Sequence, residues 1–236
     1  MYLSRLTINP RSRDAQRDLS DIYRMHQRVM SAFPDLGGSG GARAGMAVLY
    51  RLEADRSSGA TMLLVQSGMK PNWTSLPESY LAPANTGEDN PATKCIAPAL
   101  ENLRQGQVLQ FRLRANPTRK VDTKSGPDGR RRNGRRVALG TETQQVKWLT
   151  RKGGQNGFHL VSVQPGSDVP AVKVSALEKH RGNGRFRTLT VASVLFEGVL
   201  RIDDVDKFRG AIGTGIGPSK SFGCGLMSVA PCREAP

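Results

Sequence analysis

The stretch YRMH at residues 23–26 places a tyrosine and a histidine three positions apart. On a helix, Tyr23 and His26 would lie one turn apart on nearly the same side. Histidine gives and takes protons near neutral pH, and an adjacent phenol can share that work, so the pair could carry general acid–base chemistry. The spacing also has a plainer explanation. His26 follows Ile22 by four residues and precedes Val29 by three, which sets it on an apolar stripe where a histidine is commonly packed and hydrogen-bonded. Other chemistries lack their parts: the three histidines are scattered, the acidic residues do not cluster with them, and no Ser-His-Asp, Cys-His or metal-binding set can be assembled. Neither a metal nor an organic cofactor is expected.

Two further stretches could touch a ligand. The run from Gly213 to Gly225 is rich in glycine, but it fails as a phosphate-binding loop of the GxxxxGK[ST] type. Lys220 follows Ser219 rather than a glycine, and the segment leads from a helix into a strand. It is either a backbone that must come close to a ligand, with amides and Lys220 available for phosphates, or a connection that needs glycine for its turns. The second stretch, residues 118–139, carries Arg119, Lys120, Lys124, Arg130, Arg131, Arg132, Arg135 and Arg136 against only Asp122 and Asp128. So many like charges repel one another unless a polyanion neutralises them, and arginine suits bidentate contacts to phosphate and guanine. A solvated basic loop with no specific ligand is the alternative.

The elements that must position these residues follow from periodicity. MYLSRLTI alternates as a strand ended by Asn9-Pro10; RDLSDIYRMHQRVMSAF then repeats apolar residues at helical steps until Pro34 and the loop LGGSGGARAG. MAVLYRLEA and ATMLLVQS, separated by DRSSG, form a hairpin. Residues 70–94 read as an irregular connection. After it come a short helix in APALENLRQGQ, the strand VLQFRLRANP, the basic stretch, and a helix capped by Thr141 and ending near Gly153. The strand HLVSV, two long strands joined at RGNG, a helix opened by acidic residues in DDVDKFRGAIG, the glycine-rich run and a last strand LMSVAP complete the chain. The expected class is α+β, two tandem ferredoxin-like (βαββαβ, RRM-like) domains at residues 1–96 and 97–236.

The whole chain has 236 residues and a formal charge of +15, with a sequence pI near 10.5. A polyanion is the expected partner. No apolar run approaches a membrane span, the amino terminus is too short in apolar residues for a signal peptide, and Cys95, Cys224 and Cys232 show no CxxC pairing. A cytoplasmic protein with reduced cysteines is expected. Aromatic residues make up only 6% of the chain, which favours a structured, paired RNA over an open single strand. On RNA, a histidine with a tyrosine suffices for one reaction. The 2′-hydroxyl attacks its own adjacent phosphate, leaving a cyclic phosphate and a 5′-hydroxyl, when one group removes a proton and another returns one.

RDLSDIYRMHQ near the amino end, FRLRANP in mid-chain, VKWLTRK after the basic loop, VLFEGVL, and GIGPSKSFGCGLMSVAP at the end together resemble the CasE family. These are the type I-E CRISPR repeat-processing endoribonucleases. The resemblance spans nearly the whole chain with its motifs in order. It implies a pair of ferredoxin-like domains that bind the stem-loop of CRISPR repeat RNA, cut at the 3′ base of the hairpin without metal, and stay with the crRNA alongside other Cascade subunits. The family's catalytic histidine and partner tyrosine match His26 and Tyr23. The RNA-gripping positions match Arg130, Arg131, Arg132, Arg135 and Arg136 in the basic loop and Lys179 and Arg181 beside RGNG. In the glycine-rich loop they match Gly215, Gly217, Ser219, Lys220 and Ser221. Some relatives carry a lysine late on the first helix, where this chain has only Arg28, so the transition-state cation is unassigned. A non-catalytic RNA-hairpin-binding module of the same fold, with His26 packed in the core, is the alternative.

Overall fold

The computed structural model describes residues 1–35, 45–55, 58–84, 89–121, 135–164, 166–184 and 188–232. Two antiparallel sheets, each with its own apolar core, organise these residues. In the first, β1 (Tyr2–Thr7) lies between β3 (Thr61–Ser67) and β4 (Ala92–Cys95), with β2 (Leu49–Ala54) outside β3. The order β2-β3-β1-β4 is that of a ferredoxin-like sheet. The expected single helix after β1 is two, α1 (Arg13–Leu19) and α2 (Ile22–Met30). The break falls at Ser20 and Asp21, whose short polar side chains bond the local backbone and so compete with helix continuation. Ser20 Oγ donates to the Arg17 carbonyl at 2.9 Å, and Asp21, extended at φ −141°, caps the second helix. Met25 and Val29 of α2 pack with Leu6, Ile8, Leu63 and Val65 of the sheet.

Among the described residues the connection after β3 is irregular, as its composition predicts, and holds one 3-10 turn at Trp73–Ser75 where a second helix would cover the sheet. The four-residue edge strand β4 has no counterpart in the periodicity. Its sequence, ATKC, offers too short a run for alternation to register.

After α3 (Ala97–Glu101), the second sheet is built on β5 (Val108–Ala115), flanked by β12 (Met227–Pro231) and the long β11 (Thr188–Ile202). Along the far side of β11 lie in turn β8 (Phe158–Leu160), β9 (Val172–Val174) and β10 (Glu178–Asn183). The first of the two long strands expected around RGNG is thus interrupted at Ser175–Leu177, where Ser175 Oγ bonds the Ala176 carbonyl and the Leu195 amide. With α4 (Glu142–Gln155), capped by Thr141 as expected, and α5 (Val205–Thr214), whose N-cap is Asp204, the order β8-β11-β5-β12 repeats the ferredoxin-like arrangement. β6 (Thr118–Val121) and β7 (Arg135–Ala138) form a separate two-stranded ribbon at the ends of the basic stretch.

The two sheets are joined through Arg51, whose side chain is 1% exposed. Its guanidinium donates to the carbonyls of Arg112 and Leu226, to Ser228 Oγ and to Glu53. Glu53 also bridges to Arg112, which in turn pairs with Glu197. Gln66 donates to the Ile212 carbonyl at 2.8 Å across the same junction. Among the described residues no helix is long and apolar enough to cross a membrane.

Candidate functional site

α2 exists because Asp21 supplies the acceptor that its first turn lacks: Oδ1 takes the amides of Tyr23 at 2.8 Å and Arg24 at 3.3 Å. With Met25 and Val29 turned into the core, Tyr23 and His26 fall on the flank of the helix, both half-buried. His26 is not sealed among aliphatic neighbours, although its Nδ1 is shielded from solvent.

The glycine-rich run closes over this flank. A 3-10 turn at Lys220–Phe222 is held between two left-handed residues, Ser219 at φ 62° and Gly223 at φ 78°. Phe222 meets the ring of Tyr23 edge-on at 5.1 Å and that of His26 at 6.1 Å. The turn is itself anchored, because the buried Tyr50 hydroxyl donates to the Ser221 carbonyl at 3.0 Å and Asn116 Nδ2 donates to Ser219 Oγ at 2.9 Å. Burial raises the Tyr50 pKa well above the usual phenol value, so the group stays a donor. Gly215 and Gly217, at φ 79° and 87°, serve the fold. A β-carbon would come within 2.7 Å of Leu49 at the first and 3.0 Å of Trp148 at the second. The run thus needs glycine for its turns, and the turn that carries Phe222 packs on the flank of α2.

The β10–β11 arm meets the same helix from another side. Along β10, Lys179 and Arg181 are exposed, while His180 and Gly182 alternate inward. Gly182 lies so close to α2 that a β-carbon there would stand 2.6 Å from Ile22 Cγ1 and 2.7 Å from Tyr23 Cδ2. His180 Nε2 sits 3.1 Å from Ser193 Oγ and 3.4 Å from Glu178, and burial, reinforced by Arg114, pushes its pKa down. A cavity of about 130 Å³ is lined by Asp18, Met25, Tyr50, His180 and Phe222.

Arg28 is engaged elsewhere. It pairs with Asp18 at 2.6 Å and lies 5.1 Å over the Tyr80 ring; Asp18 more than offsets burial and raises its pKa. Of the basic-loop candidates, Arg130, Arg131 and Arg132 lie outside the described residues. Arg135 falls in β7, and the exposed Arg136 beside it is 3.4 Å from Thr118 Oγ1. Arg119 and Lys120 add exposed cations on the facing strand. Lys220 and Ser221 are half-buried on the turn beside Phe222. Among the described residues no group of three or more His, Cys, Asp or Glu side chains could hold a metal ion.

Sequence reasoning missed Asp21, Gly182 and Phe222. A short polar residue inside an apparent helix is the signal that could have found the first; Gly182 falls in RGNG, read as the joint between two strands, whereas β10 runs through it to Asn183. Nothing in the spacing of Phe222 distinguishes it from a core aromatic.

Comparison with known proteins defines the class. The family model described as CRISPR associated protein matches residues 1–231. The chain is 35% identical over 234 residues to the CRISPR-associated endoribonuclease Cse3 of Thermus thermophilus, covering 98% of this chain and 100% of that one. It is 32% identical, with the same coverage, to the CRISPR system Cascade subunit CasE of Escherichia coli. A solved structure of the endoribonuclease Cse3 bound to 19 nt RNA superposes with a TM-score of 0.76 at 34% identity, over 98% of this chain and 100% of that one. The chain belongs to the CasE/Cse3 family of CRISPR-associated proteins.

Proposed function

We propose that this protein is a metal-independent endoribonuclease that binds the stem-loop of CRISPR repeat RNA and cleaves the precursor at the 3′ base of the hairpin. The products are a 2′,3′-cyclic phosphate and a 5′-hydroxyl. The protein then remains with the mature crRNA among the other Cascade subunits, in the cytoplasm. The first domain, residues 1–96, carries the catalytic helix; the second, 97–236, carries the basic loop, the arm and the glycine-rich loop.

One observation supports this reading above the others: the half-buried His26 and Tyr23 stand side by side where the glycine-rich turn and the basic arm converge. An RNA strand following the backbone amides and Lys220 of that turn passes beside both rings. The 2′-hydroxyl nucleophile loses its proton, the adjacent phosphorus becomes five-coordinate, and the departing 5′-oxygen takes a proton. His26 supplies that last proton, and Tyr23 assists at the 2′-hydroxyl or holds the phosphate. The cations of β6, β7 and β10 hold the stem through its phosphates.

The test is cleavage of the cognate repeat RNA in excess EDTA by the wild type and by His26→Ala. The wild type should cut, and the variant should cut about 10²–10⁴-fold more slowly while binding survives. Uncut RNA in the wild-type reaction would leave only a binder of folded RNA; equal cutting by the variant would remove His26 from the reaction.

A further inference from the structure

We propose that the Asp21 carboxylate, with Gly182 and Asn183, forms a joint through which RNA held by the β10–β11 arm positions Tyr23 and His26. This rests on the proposed endoribonuclease function and adds a positioning residue to it.

The arm needs support. β11 pairs with β5 over Val194–Arg201, whereas β10 pairs with β11 over Thr188–Ser193, beyond the end of that pairing. Past the sheet, the arm is a two-stranded ribbon, and an isolated ribbon of that kind is marginal in water. β10 is also an edge strand, so its outward amides need acceptors from elsewhere. Asp21 supplies one. Its Oδ2 accepts the Asn183 amide at 3.0 Å, while its Oδ1 accepts the amides of Tyr23 and Arg24. One carboxylate therefore ties the arm to the first turn of the catalytic helix. Burial works against its charge, yet the three backbone donors outweigh burial and hold its pKa below the usual carboxylate value. Gly182 brings the arm's backbone directly onto Ile22 and the Tyr23 ring, so a displacement of the arm displaces that ring. On the opposite face of β10, Lys179 and Arg181 are exposed to whatever the arm grips.

Asp21→Asn separates the joint from the cap. Asparagine keeps one oxygen for the helix amides and is itself a good N-cap, but its amide nitrogen cannot accept from Asn183. At saturating protein, Asp21→Asn should cleave repeat RNA about tenfold more slowly, with stem-loop affinity and melting temperature close to wild type. Lys179→Ala/Arg181→Ala should slow the same saturated step in the wild-type background and add little in the Asp21→Asn background. Wild-type cleavage by Asp21→Asn, or effects that multiply, would overturn the joint. Gly182→Ala, which pushes the arm off α2 while leaving the cap intact, should give the same loss. Hydrogen exchange reads the coupling without cleavage. RNA binding should protect the amides of Tyr23 and Arg24 in the wild type and less in Asp21→Asn; equal protection would also overturn it. Failure of wild-type cleavage alone would count against the endoribonuclease function and leave the exchange result to decide the joint.

Discussion

An imidazole acts on a bound phosphodiester only if its ring is held still and one edge remains open. Phe222 provides the holding contact for His26 and for Tyr23 together, edge-on to both. Each such aromatic contact contributes about 0.5–1.5 kcal/mol beyond area burial, which is enough to restrict rotamers but too little to decide the fold. Phe222→Ala should therefore lower the saturated cleavage rate about tenfold while leaving RNA affinity nearly unchanged, and Phe222→Leu should fall between. Rapid-quench measurement at saturating protein checks this, and an unchanged rate would make Phe222 an ordinary packing residue. The spacing of Tyr23 and His26 was legible because a helix converts sequence interval into direction. Their company was not. Phe222 lies nearly two hundred residues away along the chain, and only the pairing of the two domains brings it to α2.

At the scale of elements, periodicity carried most of the fold. β1, the β2–β3 hairpin, α4 with its Thr141 cap, α5 with its acidic start, and β12 all fall where alternation, helical repeat, capping and dipole chemistry place them. The failures occur where polar side chains interrupt an otherwise continuous pattern. Asp21 splits one amphipathic run into α1 and α2, and Ser175 separates β9 from β10, because each side chain satisfies backbone groups that the regular element would otherwise use. The basic ribbon poses a separate question of binding. Arg119, Lys120 and Arg136 are exposed on β6 and β7, and the sequence between those strands, expected to be a basic loop, carries Arg130, Arg131 and Arg132. Replacing those three with Ala should weaken stem-loop binding and flatten the dependence of log affinity on log salt, by up to about 0.9 for each duplex phosphate that the loop no longer neutralises. Titrations at several salt concentrations measure the slope; an unchanged slope would show that the loop does not touch the RNA.

At the scale of the molecule, the proposed site belongs to neither domain alone. The first contributes Tyr23 and His26; the second contributes Phe222 and the arm, and the relative placement of the two is set by Arg51 and its partners. Removing one member of so buried a network costs about 3–5 kcal/mol, because the carbonyls and carboxylate it served lose their donor. Arg51→Ala should lower the melting temperature by on the order of 10 °C, and a thermal scan showing no change would mean that the Arg51 network does not hold the domains together. The ferredoxin-like topology was legible from the order of elements, whereas the junction was not, since Arg51 sits in a strand whose alternation gives no sign that a cation will be buried. The central claim concerns a proton delivered by His26 to the departing 5′-oxygen. Repeat RNA with sulfur in place of that single bridging oxygen tests it most directly, because a thiolate leaves without protonation. The His26→Ala variant, slow on ordinary RNA, should cleave the sulfur-substituted RNA at close to the wild-type rate in EDTA. If the variant remained equally slow on both, His26 would not be the acid.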